Sequence, residues 1–279
     1  MNVQSINRFL EKTQAEFLKK DLDSALLSAQ QALELKEPHN ALNEVIQAKI
    51  LIGKILCTKG HFIGDPDCFS KAFEELQSID VQSVSNPEKI NLALVLSEVN
   101  RLVEDWDKAR VFAKKALEES QKEGNEVLIV RSLIAESEVF ILKNQFTEAL
   151  GLANQALGNV NQIDDQVLRA EVYNLMCKIH IKRQEYDQIL DFAEEVLRIS
   201  RTYGDVEKEI VASSNLAVYY GSQLDYKRAI QYLYDSLEKS EAINFDRQTA
   251  QNLINIGTIY ARLFNSKEAL NKYESVVEK

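Results

Sequence analysis

Trp106-Asp107-Lys108-Ala109, Phe146-Thr147-Glu148-Ala149, Tyr186-Asp187-Gln188-Ile189 and Tyr226-Lys227-Arg228-Ala229 are copies of one phrase, an aromatic residue followed three places later by Ala or Ile. Ala109, Ala149, Ile189, Ala229 and then Ala269 are each 40 residues apart. A fixed period of this size predicts a solenoid, in which each repeat buries its apolar face only against its neighbours.

Each copy opens a ladder of small or apolar residues. Ala109, Ala113 and Ala116 are matched by Ala149, Ala153 and Ala156, then by Ile189, Ala193 and Val196. Ala229, Leu233 and Ser236 follow, and Ala269, Tyr273 and Val276 come last. This three-and-four spacing is one face of a helix, and small side chains on it let a second helix approach closely. Gly124-Asn125 and Gly204-Asp205 are expected to end one helix and cap the next.

Towards the N-terminus the phrase weakens but persists. Leu22 precedes Ala25 by three places, and Phe69 precedes Ala72 by three. Pro38 is expected to stop a helix, and Asn86-Pro87 to start one. A third helix is expected from about Ala41 to Lys59. The stretch 60–68, with two glycines and Pro66, is expected to be a loop insertion. The domain reading is therefore a single solenoid over 1–279. Residues 1–85 hold two degenerate repeats, and 86–279 hold five regular ones. In the last repeat Ser266 replaces the aromatic, and Tyr273, Val276 and Val277 are expected to lie partly bare.

The composition fits such an array. Only 3 Pro and 9 Gly in 279 residues favour long helices over turn-rich β structure. The net charge of −10 and the lack of a basic stripe argue against a nucleic-acid surface. Cys57, Cys68 and Cys177 form no CxxC pair and suit a reducing compartment. With no signal peptide or membrane-length apolar run visible, a cytoplasmic location without membrane insertion is expected.

These residues resemble tetratricopeptide repeats. Segments such as Asn215-Leu216-Ala217-Val218-Tyr219-Tyr220 and Asn255-Ile256-Gly257-Thr258-Ile259-Tyr260 look like the first helix of that motif. The period exceeds the family's usual ~34 residues. The repeats are therefore similar to the long-helix variants of kinesin light chains, Pins-type adaptors and bacterial peptide-sensing regulators. The resemblance implies an all-α right-handed superhelix of about seven hairpins. It also implies a groove that binds a partner peptide or helix, with Asn residues of the first helices bonding the ligand backbone. Carried onto this chain, the groove residues are Asn215 and Asn255, with Asn174 one place earlier in its repeat. Lys178 and Thr258 lie on the same faces, and Arg131 and Glu138 on those of earlier repeats. The alternative is an ordinary solvated polar residue on a helix face, and the groove reading is favoured more for the Asn pair than for the charged residues.

No phosphate-binding loop, GxSxG, HExxH or CxxC occurs, so neither catalysis nor a cofactor is expected. Cys57, His61 and Cys68 lack the ligand number and spacing of a structural zinc site. The expected function is a non-catalytic protein-interaction module. The alternative is the N-terminal sensory arm of a larger bacterial signalling protein, with an output domain beyond residue 279. The C-terminal repeat could meet a further domain or a second copy.

Overall fold

The computed structural model describes residues 3–35, 42–80 and 84–277. Among these residues it contains fourteen α-helices and no strand. The chain divides into two compact units. The first is Met1–His61 with Asp65–Gln145, and the second is Phe62–Gly64 with Phe146–Lys279. The expected helix end at Pro38, and His39, lie outside the described residues.

The first unit carries α1 (Val3–Leu18), α2 (Leu22–Glu34), α3 (Leu42–Ile63, whose tip falls in the second unit) and α4 (Pro66–Gln77). It continues with α5 (Asn86–Leu102), α6 (Trp106–Glu123) and α7 (Glu126–Leu142). α1 packs on α2, α4 on α5, α5 on α6, and α6 on α7. Ala109, Ala113 and Ala116 of α6 have no exposed surface, as their ladder spacing predicts.

The stretch 60–68 is not the expected loop. Helix α3 runs through it to Ile63, and Gly64 turns the chain at φ +70°. Asp65 then caps α4 by accepting the Asp67 N–H at 3.0 Å, and Pro66 occupies the first turn. A left-handed glycine followed by a capped proline is a two-residue helix-to-helix turn, and such a turn needs no extra chain. Gly60 lies inside α3, where a Cβ would come within 2.9 Å of Cys68 Cβ, so it permits close packing rather than a bend.

The second unit holds α8 (Phe146–Val160), α9 (Gln166–Arg183), α10 (Leu190–Tyr203), α11 (Val206–Ser222), α12 (Tyr226–Ala242), α13 (Asp246–Arg262) and α14 (Ser266–Val277). Each packs on the next in order. Tyr186–Gln188 forms a single 3₁₀ turn before α10. The ladder residues Ile189, Ala193, Val196, Ala229 and Leu233 join Leu216, Ala217, Leu253 and Ile256 in one buried cluster.

The turns repeat as faithfully as the helices. Within successive hairpins Glu104, Asn144, Gln184, Leu224 and Phe264 all have φ between 57° and 63°. After each, a backbone N–H reaches back to the carbonyl five residues earlier, as from Asp225 to Tyr220 O at 2.9 Å and from Asn265 to Tyr260 O at 2.9 Å. These are the left-handed helix endings that satisfy last-turn carbonyls. Gly124 and Gly204 end α6 and α10 in the same way, as expected. Asn125 and Asp205 then accept the N–H groups of Leu128 and Lys208, each at 3.1 Å.

At α14 the ladder changes character. Tyr273 is 38% exposed where Leu233, in the same register, is 1% exposed. Val277 is 88% exposed against 8% for Leu237. The expected bareness of Tyr273 and Val277 is therefore present. Tyr273 still packs inward over Gly257, where a Cβ would lie 2.7 Å from its ring.

Candidate groove on the second unit

Helix periodicity fixes which residues of α9, α11 and α13 share a face. Asn174 and Lys178 of α9, Asn215 and Val218 of α11, and Asn255, Thr258 and Arg262 of α13 follow three-and-four spacing beside each helix's buried stripe. All but the exposed Arg262 are half-buried, as expected for the walls of a groove.

The asparagines are placed differently from one another. Asn215 Nδ2 donates to Asn174 Oδ1 at 3.2 Å, so these two amides form one unit across neighbouring first helices. The offset of one residue in Asn174 is what brings them together. Asn255 Oδ1 accepts from Gln251 Nε2 at 3.1 Å. Its amide N–H groups donate to nothing among the described residues. The Thr258 hydroxyl donates back to Ile254 O at 2.8 Å and lies 3.4 Å from the Tyr273 hydroxyl.

Arg131 and Glu138 belong to the first unit. Glu138 is held by Arg101 in an ion pair of 2.9 Å. Arg131 keeps its Nε buried with no hydrogen-bond partner among the described residues. Lys178 is half-buried on α9.

Asn255 and Thr258 line a cavity of about 220 Å³. Ala217, Val218, Gly221 and Ser222 of α11 form another wall, and Tyr186 and Tyr226 stand at the turns. Sequence reasoning did not single out Gly221, Tyr186, Tyr226 or Arg262 as site residues. The available signal was a register break: Ile141 and Ile181 are followed 40 residues on by Gly221.

A wider hollow of about 690 Å³ lies beside the turn after α9. There His180 Nδ1 sits 2.9 Å from Glu185 Oε2, and Arg183 Nε donates to Glu185 Oε1 at 2.8 Å. Hydrogen bonds from His180 and then Arg183 hold the Glu185 carboxyl below its ordinary range. His180 is otherwise buried, its ring parallel to Phe192 at 6.3 Å. Behind the groove, burial pushes the Cys177 thiol up to about 12. Burial also raises Cys57, and both are inert as thiolates at neutral pH.

A second polar set sits wholly inside, between α11, α12 and α13. Asn252 Nδ2 donates to Ser236 Oγ at 2.8 Å, and Ser214 Oγ donates to Asn252 Oδ1 at 2.9 Å. Ser236 Oγ closes the set on Ile210 O at 3.0 Å. These side chains are buried and mutually satisfied, so they fix the packing register and are closed to ligand.

Hairpins of this period, stacked with small residues at the contact, define a tetratricopeptide-like repeat protein. The tetratricopeptide repeat family model matches residues 168–242, which span α9 to α12. Among characterised proteins, response regulator aspartate phosphatase I of Bacillus subtilis (strain 168) is 23% identical over 132 residues. That match covers 46% of this chain and 33% of the relative, so it spans about a third of the relative's length. Among solved structures, a Rap protein complexed with competence and sporulation factor superposes with a TM-score of 0.74 at 16% identity. The superposition covers 99% of this chain and 76% of that one. NprR in complex with its cognate peptide NprX gives 0.63 at 14% identity, over 98% and 77% of the two chains. A signal-transduction ATPase from Pyrococcus horikoshii with a tetratricopeptide repeat sensor gives 0.71 at 19%, over 100% and 42%. At these identities the structural likenesses establish the fold. Among the described residues no helix is long and apolar enough to cross a membrane.

Proposed function

We propose that this chain is a protein-interaction module whose second unit binds an extended peptide along α9, α11 and α13, without chemistry of its own. The observation that carries the reading is the row of half-buried amides. Asn255 keeps its N–H groups open beside a cavity, and the Asn174–Asn215 pair continues the face. A primary amide pairs with a peptide unit whatever its side chain, so such a row tracks a backbone while the cavity between helices sorts side chains. Two structural neighbours were solved with a bound factor or peptide, which supports the same use of the fold here.

The test is selection from a random hexapeptide library, followed by affinity measurement on the Asn215→Ala, Asn255→Ala double variant. The expected result is binding to the wild-type protein and at least about a tenfold loss in the variant, a typical cost for a lost hydrogen-bonding partner in a half-buried site. Unchanged affinity in a folded variant sinks the assignment.

A second reading is favoured by the face of α14. Positions buried elsewhere in the array are open at Tyr273 and Val277, and an exposed apolar stripe suits contact with more protein. On this reading the array is the sensing arm of a longer signalling protein, or pairs with a second copy. Light scattering on wild type and Val277→Lys tests the second copy. A concentration-dependent dimer lost in the variant supports it, and a monomer throughout rejects it.

A further inference from the structure

If the groove takes peptides, as proposed above, its cavity also selects among them. The register that carries Ile141 in α7 and Ile181 in α9 carries Gly221 in the last turn of α11. Gly221 is not among the glycines with positive φ, so no left-handed turn requires it. A Cβ built there meets nothing within 4 Å, so no close approach requires it either. Glycine is a poor helix residue, and here it leaves open space. That space is the cavity of about 220 Å³, with Leu233 and Ile259 at its apolar floor and the two tyrosines, Tyr186 and Tyr226, at its sides. A dry cavity of about 150 Å³ suffices for benzene, so this one has room for a branched aliphatic or aromatic side chain.

One wall is charged. Arg262 lines the cavity, is exposed, and makes no ion pair among the described residues. A guanidinium keeps its charge at any physiological pH and matches a carboxylate in a two-pronged geometry. The geometry points to a subsite for an apolar side chain with a carboxylate beside it. The side chain fills the gap at Gly221, and the carboxylate meets Arg262. An Asp or Glu side chain and a chain terminus present the same group.

Hexapeptides chosen from the library selection, with one position varied through Gly, Leu, Phe and Lys, test this by fluorescence anisotropy. Leu or Phe is expected to bind about tenfold more tightly than Gly, in the range set by a hydrophobic pocket. Gly221→Ile, which restores the side chain found one and two repeats earlier, is expected to erase that preference. Gly221→Ala, whose Cβ faces open space, keeps the fold and is expected to reduce the preference in part. Arg262→Gln is expected to erase discrimination between Asp and Asn at the next position, or between free and amidated ends. Whichever of those two pairs loses its discrimination identifies the source of the carboxylate. Binding that ignores the varied residue and survives both Gly221 variants overturns the subsite and leaves the groove standing. Failure of folded wild-type protein to bind any library peptide overturns the groove, and the subsite with it.

Discussion

Asn252 and Asn255 are one helical turn apart and have opposite duties. Asn252 is fully buried with both ends of its amide bonded, whereas Asn255 lines the cavity and its N–H groups donate to nothing among the described residues. Asn252→Ala is expected to cost about 1–3 kcal/mol, because it removes two buried hydrogen bonds, to Ser214 and Ser236, and leaves a gap between the helices. Asn255→Ala is expected to change stability by less than about 0.5 kcal/mol. Urea unfolding of the two variants checks the contrast. Phe264 makes a separate point. It holds φ 57° with its side chain 95% exposed, so it bears left-handed strain for no burial. Phe264→Gly is expected to stabilise the protein by about 1 kcal/mol, read from the same curves. The sequence named Asn255 as a groove candidate, and it lines the cavity between α11 and α13. It did not separate Asn252 from Asn255, since both sit on one first helix and only the packing against Ser214 of α11 and Ser236 of α12 encloses one amide.

At the level of helices, the 40-residue period was enough to place the second helices and their buried ladders from Ala109 to Ala269. It worked because each position meets the same neighbour in every repeat. The region 60–68 was misread because glycine and proline signal both loops and tight helix junctions. Only the φ of Gly64 and the cap from Asp65 distinguish the two. Aspartate caps recur along the array, and they carry a pH signature. Asp225 accepts the Arg228 backbone N–H at 3.0 Å and also its guanidinium, and these bonds hold its carboxyl below the ordinary 3.8. Asp105 is lowered likewise by the Lys108 ammonium and backbone N–H. A carboxyl lowered in the folded state contributes stability above its unfolded value and loses that contribution as pH falls through the folded one. The melting temperature is therefore expected to be flat from pH 7 to about 5 and to fall below about pH 4. Asp225→Asn, which keeps a cap acceptor without the charge, is expected to shrink that fall. Circular dichroism melts across the range measure both.

For the molecule as a whole, the proposed binding on α9, α11 and α13 predicts that a peptide ligand stabilises the folded state by mass action. At one hundred times its dissociation constant, a ligand adds about 2.7 kcal/mol. Cys177 is buried within the same unit, so its alkylation in moderate urea is expected to slow when such a peptide is present. An unchanged rate would place the ligand elsewhere. The architecture was readable because repetition multiplies a weak local signal. The proposed subsite was not, because Gly221 is a single departure from the repeat whose open space appears only when the neighbouring walls are seen.

The most direct test of the central claim is a titration of ¹⁵N-labelled protein with the tightest library peptide, following the side-chain amide resonances by NMR. Loss of individual signals in Asn215→Ala, Asn255→Ala and a conservative Asn252→Ser variant assigns them. The groove account predicts that the Asn215 and Asn255 signals shift and saturate with the peptide, while the enclosed Asn252 signal shifts little. Saturable binding that leaves the Asn215 and Asn255 signals in place would contradict it.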